Sequence, residues 1–351
     1  MKKRVALVGC GGIAGVHAGV LTGLHETELC GFADCKRERA EEFSAAYCGG
    51  RAGAYSSLEE MLDAESPDVL HICTPHYLHV PMAAEALGRN ISVFMEKPPA
   101  ISEEQFVQLE RAAAKSRARL GICFQNRYNE STGKIDELLR EGALGGIRGA
   151  RAFVTWNREA QYYSGSGWRG AWATEGGGVL INQSVHTLDL LLRWMGEPEV
   201  AEASMANHHL SGVMEVEDTV EAFLGFPGGQ RACFYATTAY CADVPPLIEL
   251  ECERGRIRLE GEEVTVKPRE GEQTVFWGKK ARVLGKAYWG SGHAACISDF
   301  YRCLVEGTAY QNDLASTANT IRVMRRIYRA AVCRGDTCAA AGGMTGRDEG
   351  L

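Results

Sequence analysis

The stretch VALVGCGGIAGVH, residues 5–17, decides the fold of the N-terminal half of the chain. The largely apolar run Arg4–Val8 ends in glycine, which is typical of a buried parallel strand. The turn that follows has the spacing G-x-G-x-x-A, with Gly9, Gly11 and Ala14 at its fixed positions. The two glycines permit a tight turn and leave the backbone bare for a phosphate, and the small third residue lets the next helix, Ile13–Leu24, pack on the strand. The predicted contacts of a dinucleotide with this turn are Gly9, Gly11, Gly12 and Ile13.

An acidic residue closes the second predicted strand, Leu29–Ala33. Asp34 lies where a carboxylate can accept both ribose hydroxyls of an adenosine, and its charge repels a 2′-phosphate. The sequence therefore favours NAD over NADP, although Lys36 and Arg37 follow at once and offer positive charge to such a phosphate. The alternative is that Asp34 caps a helix over Lys36–Tyr47.

Two further strand ends carry candidate site residues, because ligands bind at the carboxyl ends of parallel strands. Val69–Cys73 ends in Thr74-Pro75, where we expect the nicotinamide half of NAD. Ile91–Met95 ends in Glu96-Lys97-Pro98, and Lys97 is predicted to hold a substrate hydroxyl and to stabilise developing charge. The alternatives are a packed His79 at a helix end and a surface Glu-Lys pair. The predicted cofactor contacts at these ends are Cys73, Thr74, Pro75, His79, Glu96 and Lys97.

Strands and helices alternate up to Phe124, which predicts a doubly wound parallel sheet. The polar segment QNRYN, residues 125–129, follows, with Asn126 predicted to contact the cofactor and Arg127 the substrate. Later strand-like runs with short turns predict a large, mainly antiparallel open sheet, one face of which would suit subunit pairing if it is apolar. We therefore predict an α/β chain with a Rossmann domain at 1–124, a second α/β domain at 125–334 whose last helices have the option of packing on the first, and a loose tail at 335–351.

The second domain contains a segment rich in Gly, Trp and Arg, in which Trp168, Arg169 and Trp172 are candidates for the wall of a sugar site. A helix is predicted over Val179–Gly196. In it Asn182, His186 and Asp189 follow at spacings of four and three, so they share one side of the helix. An acid one turn away can orient the imidazole for proton transfer. His293 opens a later helix and is predicted to cap it, with reach into the site as the alternative.

Composition excludes several functional classes. The chain has 351 residues, 45% of them hydrophobic and 24% charged, which is ordinary for a globular protein. A net charge of −7 without a long basic run argues against nucleic acid. No apolar stretch approaches the roughly 20 residues that span a bilayer, and the run Val5–Val8 is too short for a signal peptide. The 13 cysteines contain no CxxC pair, which suits a reducing cytoplasm and predicts no metal cluster.

Together these motifs resemble the Gfo/Idh/MocA (glucose–fructose oxidoreductase / inositol dehydrogenase) family. The resemblance rests on GCGGIAGVH, Asp34, ICTPHYLH, EKP, FQNRYN, EGGGVLINQSVHTLDLL and GHAACISDFY, in this order. It implies NAD(P)-linked oxidation of a sugar or polyol hydroxyl by homodimers or homotetramers that pair through the C-terminal sheet. It also implies a catalytic role for Lys97 and acid/base work for His186. Many members carry an aspartate four residues before this histidine. Here Asn182 takes that place and cannot hold a proton, so the lysine and histidine carry over and the aspartate does not.

The expected function is that of an NAD-dependent oxidoreductase acting on a secondary hydroxyl of a sugar, glycoside or polyol. One alternative is a redox-neutral glycosidase or epimerase that retains NAD and passes through a keto-sugar. Another is a sensor that binds NAD or a sugar without catalysis.

Overall fold

The structure is a computed structural model that describes residues 2–278 and 292–334. The predicted tail at 335–351 lies outside the described residues. Contacts divide the chain into two compact units: unit 1 contains 2–129 and 292–318 of the described chain, and unit 2 contains 130–278 and 319–334. Within the described ranges, no helix is both long and apolar enough to cross a membrane.

Unit 1 is built on a six-stranded sheet in the order β3-β2-β1-β4-β5-β6, in which all neighbours are parallel. This arrangement confirms the predicted Rossmann sheet. The central strands β4 and β5 are mainly apolar and are buried at every position except Ser92, as expected when helices cover both faces. The strands are β1 (Lys3–Val8), β2 (Thr27–Ala33), β3 (Gly53–Tyr55), β4 (Val69–Ile72), β5 (Ser92–Met95) and β6 (Leu120–Ile122).

Five helices alternate with these strands, and the first two lie within one residue of their predicted bounds, Ile13–Leu24 and Lys36–Tyr47. They are α1 (Gly12–Gly23), α2 (Arg37–Cys48), α3 (Leu58–Glu65), α4 (His79–Gly88) and α5 (Glu103–Lys115). The sequence analysis missed α3 and β3. Ser57 and Ser102 cap α3 and α5, since their hydroxyls accept hydrogen bonds from the N–H groups of Glu60 and Gln105 at 3.2 Å.

A late helix also belongs to unit 1. The helix α9 (His293–Glu306) packs Phe300 and Tyr301 into a core cluster that includes Val5 and Phe94. Its N-cap is Gly292, so the prediction that His293 caps this helix is wrong. A side chain at Gly292 would meet the carbonyl oxygen of Gln125, which leaves room only for glycine there.

Unit 2 is built on a nine-stranded sheet in the order β14-β13-β12-β11-β7-β10-β9-β8-β15. Only the pairs β7–β10 and β8–β15 are parallel, which confirms the predicted mainly antiparallel sheet. The strands are β7 (Ile147–Thr155), β8 (Val200–Ala206), β9 (Thr219–Gly225), β10 (Arg231–Thr237), β11 (Leu247–Cys252), β12 (Gly255–Glu260), β13 (Glu263–Pro268), β14 (Thr274–Trp277) and β15 (Ala331–Arg334).

One face of this sheet is apolar and buried, and the opposite face is mixed rather than apolar. Arg151 on β7 contacts Glu249 on β11 at 2.8 Å, and Phe223 and Tyr235 lie among the same outward positions. The remaining α-helices within residues 2–278 and 292–334 are α6 (Glu130–Glu141), α7 (Ala160–Ser164), α8 (Val185–Met195) and α10 (Leu314–Ala330).

The helix predicted over Val179–Gly196 begins six residues later than expected, at Val185. The preceding backbone is drawn away from helical bonding because the buried carboxylate of Glu217 accepts the N–H groups of Gly178 and Leu180 at 2.8 and 3.1 Å. The prediction that Asn182 shares a helix with His186 is therefore wrong.

Candidate active site

The glycine turn of unit 1 has the shape that a dinucleotide needs. Gly9 has a φ of +89°, and a Cβ on it would lie 2.8 Å from backbone atoms of Cys73 and Thr74. A Cβ on Gly11 or Gly12 would meet nothing within 4 Å, so open space faces this part of the turn. The N-terminus of α1 has no side-chain cap, which leaves its N–H groups to bind a phosphate. These features fit the pyrophosphate of NAD.

Asp34 fixes the turn from the end of β2. Its Oδ2 accepts the N–H of Cys10 and its Oδ1 accepts the N–H of Lys36, both at 2.9 Å. The N-cap of α2 is Lys36, so Asp34 does not take the alternative role of helix cap. The carboxylate is thus held at the strand end, where it suits an adenosine ribose and opposes a 2′-phosphate.

His79 joins the two strand ends that were predicted to face the nicotinamide. Its Nδ1 lies 2.8 Å from the carbonyl oxygen of Pro98 and its Nε2 lies 2.9 Å from that of Thr74. The ring is fully buried, and burial lowers its pKa although the two carbonyls act in the opposite direction. A neutral imidazole donates to only one of these carbonyls, so the ring bonds one loop and packs between the loops that follow β4 and β5, which fits the packing alternative for this residue.

Glu96 ends a buried row of hydrogen-bonded groups, which we call the histidine row: Glu96, His17, His71 and Tyr301. Glu96 Oε1 lies 3.0 Å from His17 Nε2, His17 Nδ1 lies 2.9 Å from His71 Nδ1, and His71 Nε2 lies 2.9 Å from the Tyr301 hydroxyl. A carboxylate can only accept, so His17 donates to Glu96 from Nε2. The row thus keeps a negative charge beside Lys97.

Burial alone would raise the pKa of Glu96, but the bond and charge of His17, with the charges of His293 and Lys97, hold that pKa well below its usual value. Burial lowers the pKa of His293 to about 4, and Glu96 opposes this shift. The sequence analysis missed His17, His71 and Tyr301. A histidine within the helix that follows the glycine turn was the available signal.

Three potential metal ligands meet next to this row. Atoms of His17, Glu96 and Cys123 lie within 4.8 Å of one another, a grouping that the sequence did not predict. Burial raises the pKa of the Cys123 thiol well above its ordinary value, and His17 already bonds Glu96 directly. A thiol that keeps its proton is a poor ligand, so the geometry favours the hydrogen-bonded row.

Arg127 and Asn126 lie in the short 3₁₀ turn that follows β6. The guanidinium of Arg127 donates to the carbonyl oxygen of Ser316 at 3.1 Å and lies 5.4 Å from the centre of the Phe124 ring. These contacts give Arg127 a structural role within unit 1, while its predicted substrate contact stays a prediction. The same holds for the contact of Asn126 with the cofactor.

In unit 2, several predicted residues meet around Tyr162, which the sequence analysis did not select. The Arg169 guanidinium lies 4.5 Å from the Tyr162 ring centre and 4.7 Å from that of Trp168. Asn182 Nδ2 lies 3.4 Å from the Tyr162 hydroxyl, and Gln183 Nε2 lies 3.3 Å from it. We call these five residues the Tyr162 cluster. Aromatic faces beside amide and guanidinium groups are the features expected of a sugar-binding wall.

Two other candidates lie apart from this cluster. Trp172 is buried, donates from Nε1 to the carbonyl oxygen of Glu215 at 3.1 Å and packs edge-on against Tyr328. Asp189 is buried on α8 and accepts the Thr320 hydroxyl at 2.7 Å. Both have the contacts of core residues. His186, the second residue of α8, is partly exposed.

Two buried acids lie behind the Tyr162 cluster. Burial raises the pKa of Glu175 to about 7, against opposing bonds from the Gly170 N–H and from Asn182. Burial likewise raises the pKa of Glu217 to about 7, against the N–H groups of Leu180 and Gly178. The sequence analysis did not select either residue, although Glu175 directly precedes the glycines of the EGGG motif.

A parallel sheet with an open glycine turn and a ribose-facing acid defines a dinucleotide-binding protein. Residues 3–124 match the oxidoreductase family with an NAD-binding Rossmann fold, Gfo/Idh/MocA, and residues 132–258 match the GFO/IDH/MocA C-terminal domain. The chain belongs to the Gfo/Idh/MocA family. The match confirms both the resemblance and the prediction of NAD as cofactor.

Named relatives are similar over part of the chain. The D-glucoside 3-dehydrogenase of Escherichia coli (strain K12) is 33% identical over 204 residues, 56% of this chain and 55% of the relative. The glucose-6-phosphate 3-dehydrogenase of Bacillus subtilis (strain 168) is 31% identical over 145 residues, 41% of this chain and 40% of the relative. The chain thus spans about half the length of the curated relatives it matches.

A solved structure is similar over nearly the whole chain. The WlbA dehydrogenase of Bordetella pertussis, in complex with NADH and UDP-GlcNAcA, superimposes with a TM-score of 0.81 at 27% identity. The similarity covers 94% of this chain and 97% of that one.

Proposed function

We propose that the protein is an NAD-dependent dehydrogenase that oxidises a secondary hydroxyl of a sugar, glycoside or polyol. The observation that carries the proposal is the Tyr162 cluster, in a chain whose other unit is an NAD-binding domain. Its partly exposed rings and polar groups suit the faces and hydroxyls of a sugar. Both curated relatives are named for position 3 of a glucose derivative. Glucosides and glucose 6-phosphate are therefore the first substrates to test.

The residues that would hold NAD are those of the glycine turn together with Asp34. When bound, NAD supplies a hydride acceptor. His186 takes the proton of the substrate hydroxyl on an imidazole nitrogen, and general-base work of this kind is worth about 10²–10⁴-fold in rate. The Lys97 ammonium stabilises negative charge that develops on the substrate. Asn182, with Arg169 and Trp168, orients the sugar.

The test is a screen of NADH formation at 340 nm across glucosides, glucose 6-phosphate, inositols and nucleotide sugars. With an active substrate, Lys97→Ala and His186→Ala should each lower kcat by at least about 100-fold and leave the Kd for NAD within twofold. Matched controls are Lys134→Ala and His208→Ala, which change a surface lysine and an exposed histidine. Full turnover by either site variant would contradict the assigned roles. Release of product without net NADH would instead indicate the redox-neutral alternative.

We also propose that the protein is a homodimer or homotetramer that pairs through the outward face of the nine-stranded sheet. The resemblance to the family and the exposed Phe223 on that face support this arrangement. Light scattering should give a multiple of the 38.2 kDa chain mass, and Phe223→Asp should shift it towards the monomer. A monomer at micromolar concentration would contradict the proposal.

A further inference from the structure

Asn182 is bonded to a carboxyl group that has no access to solvent. Its Nδ2 lies 2.5 Å from Oε1 of Glu175, whose other oxygen accepts the N–H of Gly170 at 2.6 Å. Glu175 is fully buried, whereas Asn182 is partly exposed. Glu175 therefore cannot meet a substrate directly, but it is in contact with a residue that can.

We propose that Glu175 is a positioning residue whose protonation decides which atom Asn182 presents to the substrate. With Glu175 ionised, Asn182 presents Oδ1, a hydrogen-bond acceptor. With Glu175 protonated, it presents Nδ2, a donor. The inference rests on the proposed function in one respect, namely that Asn182 contacts the substrate.

The protons that each group can donate determine the orientation of the Asn182 amide. An ionised carboxylate has no proton to give, so the amide atom that faces it must be the NH₂ group, and Oδ1 then lies on the opposite side of the amide. A protonated Glu175 carries its proton on Oε1, because Oε2 already accepts the Gly170 N–H. That proton points at Asn182, and of the two amide atoms only Oδ1 can accept it.

The surroundings of the pair tolerate both arrangements. The Tyr162 hydroxyl, 3.4 Å from Asn182 Nδ2, can donate as well as accept, so it adapts when the amide turns over. It keeps the bond from Gln183 Nε2 in either case. The exchange therefore costs no hydrogen bond among these groups, and the protonation of Glu175 decides between the two orientations.

The protonation of Glu175 changes near neutral pH, since burial raises its pKa to about 7. Arg169 opposes that rise and Glu217 adds to it. The ionisable side chains that interact electrostatically with Glu175 include Arg169, Glu217, Tyr162, Tyr163 and Tyr328. The tyrosines stay neutral over pH 6–8 because their pKa values are raised. Glu217 also titrates in this range, so Glu217→Gln is needed as a control.

The amide orientation can be measured without turnover. In protein labelled with ¹⁵N at asparagine side chains, the Asn182 signal is identified by its loss in Asn182→Asp. We expect its shift to change with a midpoint near pH 7, to stay constant in Glu175→Gln and to change still in Glu217→Gln. A shift that ignores pH in the wild type, or that titrates equally in Glu175→Gln, would overturn the inference.

Kinetics then test the effect on substrate. We expect kcat/KM to contain a step near pH 7 that Glu175→Gln removes, with a loss of about tenfold and no change in the Kd for NAD. Asn182→Asp alone should be worse, because two carboxyls 2.5 Å apart would share one proton. The exchanged pair Asn182→Asp/Glu175→Gln restores a donor behind an acceptor, so it should recover most of the activity without the step.

The two proposals fail in different ways. If no sugar reduces NAD but the Asn182 signal titrates with Glu175, the proposed function is wrong and the positioning device is retained. If turnover is normal in Glu175→Gln and its pH profile matches the wild type, the positioning role is wrong and the dehydrogenase is retained. A merely structural role for Glu175 would lower the stability of every variant and would not give rescue by the exchanged pair.

Discussion

Replacing His17 with leucine tests whether the histidine row holds a buried negative charge. His17 is fully buried, and it is the nearest partner of the Glu96 carboxylate, at 3.0 Å. Removing one partner of a buried pair costs about 3–5 kcal/mol, because the other partner is left in the interior without compensation. His17→Leu should therefore lower the free energy of unfolding at pH 7 by about that amount.

The loss of stability in His17→Leu should depend on pH, because the substitution changes the pKa of Glu96. In the wild type the depressed pKa of Glu96 stabilises the fold above the unfolded value of about 4.5, and this contribution is lost as the pH falls below it. Without His17, burial becomes the dominant influence on Glu96 and raises its pKa above 4.5. The variant is then stabilised as the pH falls and Glu96 takes up a proton. The difference between wild type and variant should shrink from pH 7 to pH 4.5.

Urea unfolding followed by circular dichroism at several pH values measures both effects. Tyr301→Phe is the matched control at the far end of the row, since it removes one neutral hydrogen bond and should cost about 1 kcal/mol at every pH. The double variant His17→Leu/Glu96→Leu should be more stable than His17→Leu alone, because no buried charge remains. A loss below 1 kcal/mol that is the same at pH 4.5 and pH 7 would refute the reasoning.

Three further substitutions address other parts of the molecule. Gly9→Ala should weaken NAD binding by at least about tenfold in a fluorescence titration, because its Cβ would lie 2.8 Å from the backbone of Cys73. The control Gly19→Ala should leave NAD binding unchanged, because a Cβ there meets nothing within 4 Å. Asp34→Ala should raise the ratio of kcat/KM for NADP over NAD at least about tenfold, and an unchanged ratio would remove Asp34 from the ribose site. Trp172→Phe should lower the unfolding free energy by about 1–3 kcal/mol and leave KM for the sugar unchanged, whereas a large rise in KM would return Trp172 to the substrate wall.

Local signals were sufficient for most of the first sheet. The glycine turn, Asp34 and the apolar runs before them are each readable within a few neighbouring residues. The missed helix α3 also had such a signal, since Ser57 precedes Glu60 by the spacing of an N-cap. Motifs also predicted catalytic roles for Lys97 and His186, and these roles stay predictions.

The features that could not be predicted depend on contacts between residues that are far apart in the sequence. The helix α8 begins late because Glu217, far along the chain, accepts the N–H groups of residues 178 and 180. From the sequence alone, His17 is a packed residue of a helix. Its bond to His71, 54 positions away, is visible only in the fold. Tyr162 becomes a candidate site residue because Arg169 and Asn182, which follow it in the sequence, contact it in the fold. Periodicity and spacing contain no information on such contacts.

The pKa of Glu96 in unit 1 is lowered and the pKa values of Glu175 and Glu217 in unit 2 are raised, and the cause of the difference is the charge of their partners. Glu96 has imidazoles and an ammonium near it and is held ionised, whereas Glu175 and Glu217 have mainly neutral donors and each other, so burial dominates. A pKa raised from 4.5 to about 7 stabilises the fold below pH 4.5, and about 3 kcal/mol of this is lost per group as the pH rises to 7. The lowered pKa of Glu96 has the opposite effect, because its contribution to stability is lost as the pH falls below 4.5. For these three groups stability should therefore peak near pH 4.5, and the thermal midpoint of Glu217→Gln should fall less than that of the wild type from pH 5 to pH 8. Equal falls in the two proteins would show that the Glu217 carboxylate is already ionised at pH 5, stabilised by the two backbone N–H groups and the Tyr328 hydroxyl that it accepts.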